Sequence, residues 1–128
     1  MGSQFDAPLT EKIIGAAIEV HRILGPGLLE SVYEEALSHE FDLRGIRYLR
    51  HAPVEMHYKD KTIKDQRIDL IVEDQGDRAV VDLKSVSKLP DIATAQVLSY
   101  LKATRLKRGL VINFGEKRLV DGIRRLSL

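Results

Sequence analysis

The sequence predicts an α/β fold with seven elements in the order α, α, β, β, β, α, β. Residues 9–44 contain two stretches with apolar side chains every three or four positions, which is typical of amphipathic helices. From residue 47 onward, β-branched and apolar residues gather in four segments separated by polar turns, and one helical stripe interrupts them. Because sheets and helices bury their apolar faces against one another, we expect a sheet flanked by helices.

The predicted helices have recognisable ends. The first covers residues 9–24, with Thr10 available as its N-cap and Gly25-Pro-Gly27 as its end. The second starts near Glu30, where residues 31–34 match a capping box, and stops at Gly45. The third follows Pro90 and Asp91, and its apolar stripe is Ile92, Ala93, Val97, Leu98 and Leu101. The four predicted strands cover residues 47–58, 62–73, 78–85 and 107–114.

Length and composition limit the classes of function. A chain of 128 residues, 44% hydrophobic and 30% charged, should form one domain over residues 1–128. The absence of cysteine excludes disulfides, thiolate zinc sites and cysteine nucleophiles, and it is compatible with a cytoplasmic location. No apolar stretch is long enough to span a bilayer and no leader is visible, so we expect no membrane partner.

Charge is unevenly distributed along the chain. The net charge is +1, but residues 84–128 hold 10 Lys and Arg against 3 Asp and Glu. Such asymmetry is compatible with a surface that attracts phosphate, and equally with a solvated basic face.

A hairpin carries the main candidate site. If Gln75-Gly76 is a two-residue loop, paired residue numbers sum to 151, and Asp69 then lies opposite Asp82. Lys84 lies two residues beyond Asp82 and therefore on the same face. On the other face this register predicts the apolar pairs Ile68–Leu83, Leu70–Val81 and Val72–Ala79.

The opposed carboxylates of Asp69 and Asp82 predict a bound cation. With Cβ atoms roughly 5 Å apart, two carboxylates would repel each other by about 3 kcal/mol at an effective dielectric near 20, and a cation removes that repulsion. The alternative is an exposed, splayed pair that water screens. Hard oxygen ligands favour Mg²⁺ or Mn²⁺, and His39, His51 and His57 lack the spacing of a zinc site.

These residues resemble the PD-(D/E)xK nuclease superfamily, whose motif is an acidic residue on one strand and (D/E)-x-K on the next. Asp69 and Asp82-Leu-Lys84 fit that motif. The chain also resembles the GxxExxY family of small proteins, because that motif occurs as Gly27-Leu-Leu-Glu30-Ser-Val-Tyr33. Further matching segments are residues 9–21, residues 68–73 and Ile112-Asn-Phe-Gly115.

The resemblance implies a restriction-endonuclease-like core, an αβββαβ mixed sheet flanked by helices, with an extra N-terminal helix. It implies that Glu30 joins Asp69 and Asp82 in holding the metal, although the residues alone suggest only a helix-start glutamate. Gln96 and Tyr100, at i and i+4, match a supporting Q-x-x-x-Y element, or are a surface glutamine beside an anchoring tyrosine. His21 matches a family histidine, or is a packing residue.

Two departures from the family pattern are visible. Ile68 replaces the proline of the motif's name, and Asp82 replaces the glutamate that is commoner in the family. The second change shortens the carboxylate by a methylene group. Since Mg²⁺ demands near-ideal octahedral geometry, activity or metal preference could differ.

The sequence therefore predicts a metal-dependent phosphodiesterase acting on nucleic acid. DNA rather than RNA, and a possible homodimer, follow from the resemblance alone. Lys84 would orient or deprotonate the attacking water, and basic residues would hold backbone phosphates: Lys88, Arg105, Lys107 and Arg108. The alternative is a catalytically inactive nuclease fold that serves as a nucleic-acid or protein binding module.

Overall fold

The computed structural model describes residues 8–128 as three helices and a five-stranded mixed sheet. The α-helices are α1 (Pro8–Leu24), α2 (Glu30–Arg44) and α3 (Ile92–Thr104). The strands are β1 (Arg47–Tyr58), β2 (Lys61–Asp74), β3 (Asp77–Lys84), β4 (Arg108–Asn113) and β5 (Ile123–Ser127), with a short 3-10 helix at Leu119–Gly122. All seven predicted elements are confirmed, whereas β5 and the 3-10 helix escaped prediction.

The sheet has the order β1-β2-β3-β4-β5 and one parallel pair, β3 with β4. Helix α3 makes the crossover that a parallel pair requires. One apolar core lies between α1, α2 and one face of the sheet, and a second lies between α3 and the opposite face. This is the restriction-endonuclease-like α/β arrangement, with α1 as the additional N-terminal helix. Within residues 8–128, no helix is both long and apolar enough to cross a membrane.

Two predicted helix caps are wrong. Helix α1 begins at Pro8, a residue suited to the first helical turn, so Thr10 is buried inside the helix and does not cap it. Helix α2 begins at Glu30, and no side chain caps it. Glu34 is drawn away from the capping box by two ion pairs, with Arg50 and His51, each at 2.7 Å.

The β2–β3 hairpin has the predicted register. Leu70 pairs with Val81 and Asp74 with Asp77, so paired numbers sum to 151. Positive φ angles of 51° at Gln75 and 83° at Gly76 supply the tight two-residue turn. The ladder ends one pair before the predicted pair of Asp69 with Asp82, so these two residues are not paired in the sheet.

The predicted Ile68–Leu83 pair is wrong. The β2–β3 ladder ends at Leu70–Val81, and Ile68 packs in the core beneath α3, whereas Leu83 packs in the core beneath α1 and α2. The two strands therefore separate at Asp69. The separation opens the sheet where the candidate residues lie.

Candidate active site

Asp69 lies where β2 leaves β3. Its Oδ2 atom accepts a hydrogen bond of 2.8 Å from the backbone N–H of Leu83. That N–H would otherwise lose its partner, because the backbone ladder has already ended at Leu70–Val81. The half-buried Asp69 carboxylate therefore compensates for the separation of the strands and is held beside β3.

Asp82 is the buried carboxylate of the site, with only 5% of its surface exposed. Lys84 Nζ lies 3.0 Å from Asp82 Oδ2, so the two side chains form an ion pair. Among the described residues, no side chain other than Lys84 makes an ion pair with Asp82. Burial raises the pKa of Asp82, Lys84 lowers it, and the charge of Asp69 raises it. The result of these effects together is a pKa of about 6.

Lys84 ends β3 and is half-buried. Burial alone would lower the pKa of its ammonium, but contact with Asp82 and the negative charges of Glu30 and Asp69 raise the pKa above its ordinary value. At neutral pH the side chain is therefore a cation. This charge state suits a hydrogen-bond donor to an anionic group better than a proton acceptor.

Glu30 enters the site from the first turn of α2 and is exposed. Partial loss of water from its carboxylate raises its pKa, Lys84 lowers it, and Asp69 and Glu34 raise it. Glu30 and Asp69 therefore share an electrostatic environment with Lys84. The predicted proximity of Glu30 to the hairpin agrees with these interactions.

Tyr33 holds the loop that precedes Glu30. Its hydroxyl donates to the Gly25 carbonyl over 2.5 Å and accepts from the Leu28 N–H over 3.1 Å. Its ring stacks on Phe114 with centroids 4.4 Å apart. Gly27 has a φ of 97°, which favours glycine. In the G-x-x-E-x-x-Y motif, Gly27 is thus the turn residue, Glu30 the candidate site carboxylate, and Tyr33 the side chain that anchors the loop.

Asn113 is a structural partner of the site that sequence reasoning missed. Its buried amide accepts from the N–H groups of Val86 and Gly115, each over 3.0 Å, and donates to the Val86 carbonyl over 2.9 Å. The neighbouring Phe114 N–H donates to the Lys84 carbonyl over 2.8 Å. These bonds fix the chain directly after Lys84. The signal available in the sequence was a polar residue, Asn113, at the end of an otherwise apolar strand.

Tyr100 approaches the carboxylates from α3, on the other side of the sheet. Burial raises its pKa, and the charges of Asp82 and Asp69 raise it further. The Tyr100 hydroxyl donates to Gln66 Oε1 over 3.1 Å, and the neighbouring Gln96 side chain lowers the pKa of Tyr100. Gln66 was not predicted. The pair Gln96 and Tyr100 therefore lies beside the site, with Tyr100 buried and Gln96 half-buried.

His21 has a packing environment. Its Nε2 atom lies 2.8 Å from the Glu116 carbonyl, and its ring centroid is 6.2 Å from that of Phe114. These contacts agree with the packing interpretation of His21. They give it no contact with Asp69, Asp82 or Lys84 among the interactions of the described residues.

The basic residues predicted to hold phosphate are not gathered at the site. Arg108 forms an ion pair with Asp77 at 2.7 Å and lies opposite Ala79, at the far end of β3 from Lys84. Five residues of strand separate Ala79 from Lys84, or roughly 16 Å. Arg105 and Lys107 precede β4 at that same end, so only Lys88 follows Lys84 closely in the chain.

The carboxylates of Glu30, Asp69 and Asp82 match the ligand set of a hard divalent ion such as Mg²⁺ only in part. Within residues 8–128, no three His, Asp or Glu side chains converge closely enough to hold a metal ion, so Glu30 does not form one ligand set with Asp69 and Asp82. Nevertheless, the Asp82 carboxylate is buried with Asp69 beside it, and the Lys84 ammonium offsets only part of their negative charge. Because Mg²⁺ commonly binds one or two carboxylates and keeps several waters, Asp69 and Asp82 fit such an ion.

Comparison with known families agrees with this arrangement. The family model described as the PD-(D/E)XK nuclease superfamily matches residues 7–126, which include both helical layers and the hairpin. A search of curated proteins found no significant match. The match extends over nearly the whole chain, and so the chain belongs to the PD-(D/E)XK nuclease superfamily.

Proposed function

We propose that the protein is a divalent-metal-dependent nuclease that hydrolyses phosphodiester bonds. The observation that carries the proposal is the cluster of Asp69, the buried Asp82 carboxylate and the Lys84 ammonium at the point where β2 and β3 separate. Two neighbouring carboxylates, one of them buried, are stabilised by nearby positive charge, which the Lys84 ammonium supplies in part and a divalent ion would complete. Nucleases of this superfamily typically use divalent metal ions.

Asp69 and Asp82 are the residues that would hold the ion, with Glu30 contributing through a bound water. When bound there, a divalent ion supplies Lewis-acid polarisation of the phosphate and a lower pKa for water. Mg²⁺ is the ion that the donor chemistry favours, with Mn²⁺ as the alternative.

Lys84 acts as a fixed positive charge in this proposal. Its raised pKa keeps the ammonium protonated near neutral pH, so Nζ donates hydrogen bonds to the phosphate or to the attacking water. This argues against the deprotonation role that the sequence also allowed. Tyr100 and Gln96 lie on the α3 side of the site, where the buried Tyr100 side chain is close enough to Asp82 for the carboxylate charge to raise its pKa.

Membership of the GxxExxY family is a finer part of the proposal. The supporting observation is that Gly27, Glu30 and Tyr33 have related structural roles: a positive φ, a carboxylate facing the site, and a loop anchor. DNA as the substrate and a homodimer as the assembly are further expectations from the superfamily. The cysteine-free composition is compatible with a cytoplasmic location.

The test is metal-dependent cleavage of plasmid, linear, single-stranded and branched DNA. We expect Lys84→Ala to reduce cleavage at least about 100-fold while the protein keeps its fold. Lys102→Ala is the matched control, since Lys102 is an exposed lysine on α3. Cleavage by Lys84→Ala at the rate of the control would contradict the mechanism.

Metal binding is tested separately by calorimetric titration with Mg²⁺ and Mn²⁺. We expect binding by the wild-type protein and its loss in Asp82→Asn. A protein that neither binds these ions nor cleaves any of the four DNA forms is not a nuclease of this kind.

A binding module without catalysis is the second candidate function. Two observations favour it: residues 8–128 contain no three-ligand metal cluster, and Asp69 Oδ2 already accepts the Leu83 N–H. The module would bind nucleic acid or protein without needing a metal. Nucleic-acid binding that is unaffected by EDTA, together with no cleavage, would support it.

A further inference from the structure

A groove of about 670 Å³ lies between the start of α2 and the chain that follows β3. One wall is formed by Leu28, Leu29 and Val32, the other by Ser85, Val86 and Ser87, and two glycines complete the lining. The groove is distinct from the carboxylates themselves. None of its lining residues belongs to the proposed metal ligands.

The groove adjoins the proposed catalytic residues at both walls. Ser85 directly follows Lys84, and Leu29 directly precedes Glu30. The Ser85 hydroxyl donates to the Leu28 carbonyl over 2.5 Å, so the two walls are joined. The groove therefore begins one residue from Lys84 and one residue from Glu30, within reach of a nucleotide next to a phosphate bound at Lys84.

The chemistry of the lining favours a base over a phosphate. The lining consists only of apolar side chains, serines and glycines, so within the described chain no formal charge faces the groove. Leu29 is 74% exposed, and Leu28 and Val32 are each 40% exposed, which leaves an apolar surface open to water. A nucleobase has an apolar face that can pack on such side chains and polar edges that serine hydroxyls can contact.

We propose that this groove binds the base of an unpaired nucleotide next to the scissile phosphate. In a regular duplex the base faces are covered by stacking, so a base enters a groove only after it leaves the stack or when it is already single-stranded. The substrate is therefore single-stranded nucleic acid, or a duplex with an unpaired nucleotide at the cleavage point. This inference rests on the proposed nuclease function and specifies its substrate class.

The test uses single-stranded oligonucleotides with one abasic nucleotide placed at successive positions around the cleavage point. We expect the KM to rise about tenfold when the abasic nucleotide occupies one particular position, and to stay unchanged elsewhere. Leu29→Ala should raise the KM of the intact oligonucleotide by a similar factor. In that variant the abasic position should cause no further rise, because the base has lost its contact surface.

Leu43→Ala is the matched control. Leu43 is also an exposed leucine of α2, 68% exposed, but it lies at the opposite end of the helix from Glu30. We expect this variant to keep the wild-type dependence on the abasic position. Leu29 makes no side-chain cap to α2, so its replacement should leave the helix intact, which circular dichroism can verify.

Binding measured by fluorescence anisotropy separates failure of this inference from failure of the nuclease function. Dependence of binding on the abasic position without any cleavage would keep the groove assignment and reject the nuclease. Cleavage with the same KM at every abasic position would overturn the groove assignment. So would a Leu29→Ala variant that changes only the oligomeric state, because the groove would then bind a second copy of the chain.

Discussion

The backbone N–H of Leu83 donates to Asp69 Oδ2 over 2.8 Å, at the point where β2 and β3 separate. In a regular continuation of the hairpin, Ile68 would face Leu83 and its carbonyl would accept this bond. The aspartate thus takes the place of a backbone acceptor. One Asp69 oxygen completes the strand end, and the carboxylate remains beside Asp82.

Asp69→Asn and Asp69→Ala should therefore differ in stability. The asparagine carbonyl can still accept from the Leu83 N–H, so we expect nearly wild-type stability together with loss of Mg²⁺ binding. Alanine leaves that N–H without an acceptor, at a cost of about 1–3 kcal/mol in the free energy of unfolding. Urea denaturation in EDTA measures both variants, and equal stabilities would show that the bond contributes little.

The pH dependence of stability should reveal the buried charge of Asp82. Its pKa rises from 3.8 to about 6 in the folded state, so folding favours the protonated form. The stabilisation is complete below the unfolded pKa and is lost as pH rises through about 6, by at most about 3 kcal/mol. Asp82→Asn should therefore gain stability relative to wild type between pH 4 and pH 8, measured in EDTA.

The wild-type protein supplies the reference for that experiment. Titrating groups far from the site affect both proteins equally, so the difference between the two free energies of unfolding reports Asp82 together with its coupling to Lys84. A difference that is the same at pH 4 and pH 8 would contradict the raised pKa. Added Mg²⁺ at pH 8 should stabilise the wild type and leave Asp82→Asn unchanged, since a ligand stabilises only the state that binds it.

Two glycine substitutions should have opposite effects on stability. A Cβ atom at Gly115 would lie 2.1 Å from the Val86 carbonyl oxygen, and backbone cannot yield cheaply, so Gly115→Ala should destabilise by at least about 2 kcal/mol. A Cβ at Gly15, inside α1, meets only the flexible Arg44 side chain at 3.4 Å. Gly15→Ala should stabilise by about 0.5–1 kcal/mol. Thermal unfolding measures the stability of both variants. A Gly115→Ala protein as stable as the wild type would contradict the close contact with Val86.

The register of the candidate site could be predicted from sequence because a local signal fixes it. The Gln75-Gly76 turn determines the register of the five pairs from Asp74–Asp77 to Leu70–Val81, which ends next to Asp69 and Asp82. The separation of the strands at Asp69 could not be predicted in the same way. It depends on the Asp69 side chain, which accepts the Leu83 N–H in place of a backbone carbonyl. The spacing of apolar residues in the sequence carries no information about such a contact.

The missed features depend on contacts between distant parts of the chain. Asn113 acts on Val86, 27 residues away, so its role is invisible until β3 and β4 are aligned. Strand β5 is only five residues long, and Arg124 and Arg125 at its centre give a weak apolar pattern. Elements such as α1 were predictable because their apolar spacing repeats over several turns.

Tyr33→Phe should test whether the loop anchor matters to the site. The change keeps the stacking on Phe114 but removes the hydroxyl that bonds the Gly25 carbonyl and the Leu28 N–H. We expect a loss of about 1–2 kcal/mol in stability, and a lower kcat because Glu30 follows the loosened loop.

The control for this prediction is Tyr58→Phe, since Tyr58 is 63% exposed at the end of β1. That variant should keep wild-type stability and kcat. If Tyr33→Phe lowers stability without changing kcat, the hydroxyl stabilises the loop but does not position Glu30. If the site depends on the loop, both the stability and the kcat of Tyr33→Phe should fall, because the two hydrogen bonds of the Tyr33 hydroxyl hold the segment immediately before Glu30.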